Sequence, residues 1–173
     1  MDIQRRNWLR GRLSAKHIPL LPPWSISYDL FVEQCTRCHA CIESCPEQII
    51  VKGESNYPNL DFTRGECTFC TQCANACPEG LFTDTGRDQA WFYKAQIDEH
   101  CVTQSGVMCQ TCRDHCETGA ITFRPRLGQV AQPSIETENC NGCGACVKNC
   151  PVSAISVHEP KHHAAQESAH ASS

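Results

Sequence analysis

Sixteen cysteines in a chain of 173 residues fall into four groups of four. They stand at Cys35, Cys38, Cys41 and Cys45; at Cys67, Cys70, Cys73 and Cys77; at Cys101, Cys109, Cys112 and Cys116; and at Cys140, Cys143, Cys146 and Cys150. Groups one, two and four share one run, C-x2-C-x2-C-x3-C-P, closed by Pro46, Pro78 and Pro151. The spacing makes the chain an internal repeat. Little else in the sequence competes with it. Leu, Ile, Val and Phe number only 32, below the roughly one-fifth share at which apolar burial offsets chain entropy. Something other than a hydrophobic core must hold the fold together.

The repeated run is the ligand pattern of bacterial [4Fe–4S] ferredoxins. Thiolates two residues apart can wrap a tight loop around one cubane, with backbone N–H groups turned towards its anionic sulfurs. Ala40, Ala74, Gly142, Gly144 and Ala145 are small enough to let the backbone come close. The fourth cysteine lies about one helical turn beyond the third, and the proline after it redirects the chain. It is therefore aimed at a second cluster, and the groups must work in pairs. Sequential pairing puts Cys35, Cys38 and Cys41 with Cys77, and Cys67, Cys70 and Cys73 with Cys45. It likewise puts Cys101, Cys109 and Cys112 with Cys150, and Cys140, Cys143 and Cys146 with Cys116. A nested arrangement, group one with four and two with three, satisfies the same spacing.

Group three departs from the run twice. Residues 102–108 separate its first two cysteines, and Glu117 stands where the others have proline. A longer loop can still close on a cubane, so four [4Fe–4S] clusters are expected, with Cys101 the least constrained of the sixteen ligands. Disulfides and zinc are the alternative uses of cysteine. A disulfide scaffold goes with export, and no secretory signal is read here; structural zinc prefers two separated pairs of ligands. With so thin a core, metal binding and folding are expected to be linked.

The segments between groups predict an α+β fold of tandem ferredoxin-like (βαββαβ) modules whose small cores are held by the clusters. Residues 48–52 and 60–63 read as a hairpin around a Gly/Asn/Pro turn, and 120–124 and 132–136 repeat it. Residues 91–97 and 154–158 read as further strands, with a short helix after the third cysteine of each group. Expected core residues are Ile42, Ile49, Val51, Phe62, Leu81, Phe82 and Phe92, then Ile121, Phe123, Ile135, Val147, Ile155 and Val157. The organisation predicted is a basic amino-terminal docking arm over 1–29, one module over 30–90, a second over 91–160, and a disordered tail over 161–173.

Charge narrows the partners. The formal net charge is −4, and four clusters with their thiolates, each carrying about −2, would take it to about −12. Nucleic acid is a poor partner for such a body. No apolar run approaches the ~20 residues of a membrane span; the nearest, residues 18–26, is broken by Pro19, Pro22 and Pro23. The basic residues Arg5, Arg6, Arg10, Arg12 and Lys16 concentrate in the arm.

Several features outside the ligand runs carry a resemblance: Arg5 and Arg6 with Trp8 and Leu9; the segment Pro22, Pro23, Trp24, Ser25; the Tyr57-Pro58 turn; the long gap in group three; Phe123-Arg124-Pro125; and the fourth ligand loop, Cys140 to Cys146. From the amino terminus to about residue 158 the chain resembles the NapF family, ferredoxin-type accessory proteins of the periplasmic nitrate reductase system. The resemblance implies a cytoplasmic protein with four [4Fe–4S] clusters. It further implies contact with the molybdopterin-containing catalytic subunit of nitrate reductase, in precursor form before export, and assistance in its maturation by electron or cluster delivery. Arg5, Arg6, Trp8 and Trp24 are the expected docking residues. Arg5-Arg6 does not read as a twin-arginine export signal, because charged residues and prolines follow where an apolar region is needed.

No nucleophile with a paired histidine, open metal position or phosphate loop accompanies the cysteines, so the chain is read as an electron-transfer or accessory protein without a catalytic site of its own. A general electron-transfer polyferredoxin in a nitrate-respiration chain is the competing function. The arm separates the two, since a simple carrier does not need it.

Overall fold

A computed structural model of the chain describes residues 19–83, 85–86 and 89–159. One helix longer than a single turn occurs among them, α1, Tyr28–Gln34. The other four each span four residues: α2 (Ala40–Glu43), α3 (Gln72–Asn75), α4 (Thr111–Asp114) and α5 (Ala145–Lys148). Each contains the third cysteine of its group, whereas the sequence places the helix after it. The cause is local. His39, Thr71 and Gly144 adopt left-handed backbone angles immediately before α2, α3 and α5, which reverses the chain and starts the turn one residue ahead of the cysteine.

Three two-stranded antiparallel sheets complete the framework. Strands β1 (Ile50–Lys52) and β2 (Pro58–Leu60) pair Ile50 with Leu60. Strands β4 (Ile121–Arg126) and β5 (Gln129–Ile135) form the longer hairpin, pairing Ile121 with Ile135. Its ladder slips between Arg124 and Arg126, at Pro125, which has no N–H to give to a ladder. Strand β3 (Lys94–Ile97) pairs with β6 (Ile155–His158), so the segment entering the second half lies beside the segment leaving it. In the first half a single bridge between Ser25 and Phe82 joins the corresponding segments.

The strand ends depart from their sequence windows: the longer hairpin runs past its windows towards its turn, over Ile121–Arg126 and Gln129–Ile135, while the other strands are cut short. The first begins at Ile50 because Gln48 has a left-handed φ of 54°. The second ends at Leu60 because Asp61 Oδ1 accepts from both the N–H and the hydroxyl of Thr63, forming a turn. The third begins only at Lys94, because Trp91 and Tyr93 are committed to an aromatic cluster.

Both halves contribute to one core. Ile49, Ile50, Leu60 and Phe62 from the first join Trp91, Ala95, Ile121, Ile155 and Val157 from the second, with Cys73, Cys112, Cys140 and Cys146 among them. A smaller cluster holds Leu21, Phe31 and Leu81. Phe92, expected inside, is 46% exposed; its neighbours Trp91 and Tyr93 turn inward and leave it facing out. The boundary of the amino-terminal arm also moves. Leu21 and Trp24 are buried, the Leu60 N–H donates to the Leu20 carbonyl, and the Trp24 N–H donates to Ala90. Residues 20–25 thus belong to the folded body. Among the described residues no helix is long and apolar enough to cross a membrane.

Candidate metal centres

The ligand loops share a backbone conformation that their sequences do not share. In groups one, two and four, the residue before the second cysteine and the residue after it both take positive φ: Arg37 and His39, Phe69 and Thr71, Gly142 and Gly144. Glycine adopts such angles freely, but the first two loops hold four residues with Cβ atoms there, at a cost of order 1 kcal/mol each. The conformation turns N–H groups inward. The Arg37 N–H donates towards the Cys35 sulfur and the Phe69 N–H towards Cys67, in each case favouring the thiolate. Such concave runs of N–H groups suit an anion.

The sixteen cysteines gather in four quartets. Cys35, Cys38, Cys41 and Cys77 line one small cavity, beneath Phe31, Leu81 and Phe82. Cys45, Cys67, Cys70 and Cys73 line a second with Ile49, Ile50 and Leu60. Cys101, Cys109, Cys112 and Cys150 line a third with Ile97, Phe123 and Ile155. Cys116, Cys140, Cys143 and Cys146 make the fourth: the Cys146 thiol is pushed up to about 12, first by burial and then by Cys143, Cys140, Cys112 and Cys116. Burial likewise pushes Cys41 and Cys67 up to about 12 and Cys73 and Cys112 to about 11. Such sites release protons when thiolate ligands bind a metal. The first and second quartets are neighbours, as are the third and fourth, because α2 packs on α3 and α4 on α5.

Group three reaches its quartet by another route. Residues Val102–Ser105 form a 3-10 turn after Cys101, ending at Gly106 in a left-handed conformation. Thr103, 2% exposed, anchors this insert. Its hydroxyl donates to Gln132 Oε1 at 3.0 Å, and Gln132 Nε2 donates back to the Thr103 carbonyl at 2.7 Å. A buried, fully paired side chain on β5 therefore holds the loop that carries Cys101. Sequence reasoning missed this pair. The only signal available was a threonine within the insert and a glutamine on a strand far from it.

Further contacts, also unforeseen, tie group two to group four. The Cys67 N–H donates to the Cys143 carbonyl at 2.8 Å. Trp91 Nε1 donates to the Asn141 carbonyl at 2.7 Å, and Lys94 Nζ donates to the Cys140 carbonyl. The Trp91 ring also meets Phe69, Phe62 and Tyr93. A Cβ on Gly144 would run into the Phe62 ring, so that glycine is required by packing as well as by its φ.

Of the expected docking residues, Arg5, Arg6 and Trp8 lie outside the described residues. Trp24 is corrected. It is 6% exposed and packs edge-on against Phe69, because the turn after Pro22 and Pro23 folds it inward. It is a core residue and cannot serve as an exposed anchor.

Residues 34–82 and 107–167 each match a 4Fe-4S dicluster domain family. Over 171 residues the chain is 43% identical to the ferredoxin-type protein NapF of Haemophilus influenzae, covering 92% of this chain and 96% of that one. The chain belongs to the NapF family. It is equally 43% identical to the ferredoxin-type protein NapF of Escherichia coli strain K12, covering 91% of this chain and 95% of that one. A more distant likeness, 28% identity over 166 residues, links it to the methylamine utilization ferredoxin-type protein MauM of Methylobacillus flagellatus, covering 86% of this chain and 71% of that one. As a NapF-family member with two dicluster domains, the chain is a ferredoxin-type iron–sulfur protein.

Proposed function

We propose that each quartet holds one [4Fe–4S] cluster, four in all, and that the chain carries single electrons in maturing the catalytic subunit of periplasmic nitrate reductase. The arrangement of four thiols around each of three small cavities, with a fourth set of four gathered about Cys146, carries the cluster assignment. Among the described residues no three His, Cys, Asp or Glu side chains converge on a single metal ion, whereas four thiols spread around a cavity suit the corners of a cubane. The inward N–H groups at Cys35 and Cys67 suit its negative charge.

In this reading the halves are two ferredoxin-like βαββαβ modules. The second has the order β3, α4, β4, β5, α5, β6; in the first, the Ser25–Phe82 bridge stands in for the outer pair. When bound, each cluster supplies a one-electron couple. The chain's own residues do the rest. The left-handed loops hold the thiols apart, Phe31, Leu60 and Phe123 keep water from the cavities, and Thr103 with Gln132 hold Cys101 in reach.

The partner reading is supported by membership of the NapF family and by the basic residues 1–18. It places the protein in the cytoplasm, docked through that arm to the precursor before export. The test is anaerobic affinity capture of the full chain and of a chain beginning at residue 19, with iron counted in each. Co-purification of the catalytic precursor with the full chain alone, at equal iron, is the expected result. A fully iron-loaded full chain that brings down no precursor overturns the docking reading and leaves a general electron carrier.

A further inference from the structure

We propose that the second and fourth quartets are the inner pair of a linear electron path, whose order is first, second, fourth, third, and that Trp91 is the residue that positions them. This rests on the reading that each quartet holds a cluster. Chain order alone would join the second quartet to the third.

Three adjacencies produce the order. Within the first half, α2 and α3, which carry Cys41 of the first quartet and Cys73 of the second, pack against each other. Within the second half, α4 and α5, which carry Cys112 of the third quartet and Cys146 of the fourth, pack in the same way. Between the halves, the Cys67 N–H donates to the Cys143 carbonyl at 2.8 Å. This joins ligands of the second and fourth quartets directly. Burial by itself does not order the quartets, since Cys70 of the inner pair is exposed and Cys112 of the outer pair is buried. The hydrogen-bonded junction does.

Trp91 touches both ligand loops of that junction. Its indole N–H holds the Asn141 carbonyl, between Cys140 and Cys143. Its ring meets Phe69, between Cys67 and Cys70, at a centroid distance of 5.4 Å. Because the rate of electron tunnelling falls steeply with separation, the residue that sets this approach governs the step between the halves. With clusters bound, each internal step would oxidise one centre by one electron and reduce the next by one, with no bond formed or broken. The outer quartets are left to meet donor and acceptor: Cys38 of the first is exposed, and exposed Val107, Met108 and Val152 flank the third.

The test uses the full chain loaded anaerobically with iron and sulfide and reduced with dithionite, read by electron paramagnetic resonance. An inner-only form carries Cys35→Ala, Cys38→Ala, Cys101→Ala and Cys109→Ala. An outer-only form carries Cys70→Ala, Cys73→Ala, Cys140→Ala and Cys143→Ala. Spin–spin interaction is expected in the inner-only form and not in the outer-only form. Two isolated signals in the inner-only form, or an equal interaction in the outer-only form, overturn the order. If the multiply substituted chains do not load, the unsubstituted holo-protein decides: four mutually interacting spins are expected, and a sum of two independent pairs overturns the order. Trp91→Leu at full iron content should weaken the interaction between the halves, with Trp91→Phe intermediate; an unchanged spectrum in Trp91→Leu removes Trp91 from the proposal. Iron content and integrated spin report separately on the four-cluster reading. An unsubstituted chain holding fewer than four clusters' worth overturns that reading, and the path with it.

Discussion

The backbone N–H of Cys67 donates to the carbonyl of Cys143 at 2.8 Å, so a cysteine of the second group is hydrogen-bonded to a cysteine of the fourth. The bond needs the fourth loop to lie against the first half, and Gly142 and Gly144 permit that. A Cβ at Gly142 would meet the Tyr93 carbonyl and the Trp91 indole nitrogen, and one at Gly144 would meet Phe62. The two halves are thereby fastened through their ligand loops as well as through a shared core.

Replacing Gly144 with Ala should therefore damage one centre and the junction together. The new Cβ meets the Phe62 ring, and φ at this position is +84°, which a residue with a Cβ adopts only at a cost. The expected outcome is loss of about a quarter of the iron, with the other quartets still loaded. Iron and acid-labile sulfide analysis of the anaerobic protein measures it; full retention of iron would show that Phe62 moves aside without consequence.

Gln132→Leu should act on the third quartet alone. It removes both hydrogen bonds between Gln132 and the buried Thr103, whose carbonyl keeps only the Gly106 N–H, at a cost of about 1–3 kcal/mol for the two, and loosens the loop carrying Cys101. Cluster loss on exposure to air should be faster in this variant than in the unsubstituted chain, by several-fold. Visible absorbance followed over time reports it.

Trp24 discriminates core from anchor. Its indole nitrogen is buried without a hydrogen-bond partner, so Trp24→Phe should leave stability within about 1 kcal/mol of the parent. Trp24→Ala should cost about 3–5 kcal/mol. Guanidinium unfolding of the holo-proteins checks both, and Trp24→Phe should leave capture of the partner unchanged.

Tyr93 should make stability fall at high pH. Its hydroxyl oxygen accepts the Leu21 N–H at 2.9 Å. Burial pushes the phenol up to about 12, with Glu159 acting in the same direction and the Leu21 N–H opposing. A folded-state pKa above the unfolded value of about 10 means that the stability from the neutral phenol is fully present below pH 10. It is lost as pH rises through 12, an effect of ~2 kcal/mol. The guanidinium midpoint of the holo-protein should be flat up to about pH 10 and then fall. In Tyr93→Phe it should start lower, because the Leu21 N–H loses its acceptor, and this component of the fall should be absent.

Much of the candidate site was legible in the cysteine spacing, because ligand loops are local. A spacing of three suffices to bring Cys35, Cys38 and Cys41 around one point within seven residues, and one helical turn carries Cys45 away from it. Hairpins were legible for the same reason, although their ends were not: a left-handed Gln48 and the Asp61–Thr63 turn cut the strands short, and neither leaves a mark in hydrophobic pattern. Trp24 was misread because an aromatic residue beside two prolines looks the same in sequence whether the turn points it outward or into a core.

The sequence by itself determined the inventory: sixteen thiols in four groups, three of them on one repeated run, few apolar residues, and a basic amino-terminal segment on a chain of net charge −4. Tertiary structure decided the relations between runs. Which quartets adjoin across the halves depends on Trp91 reaching Asn141 and on Cys67 meeting Cys143, and the Cys101 loop depends on Gln132 of a distant strand. These contacts join residues far apart in the chain, and no periodicity or spacing encodes such pairings, since they arise only when both halves bury their apolar faces against each other.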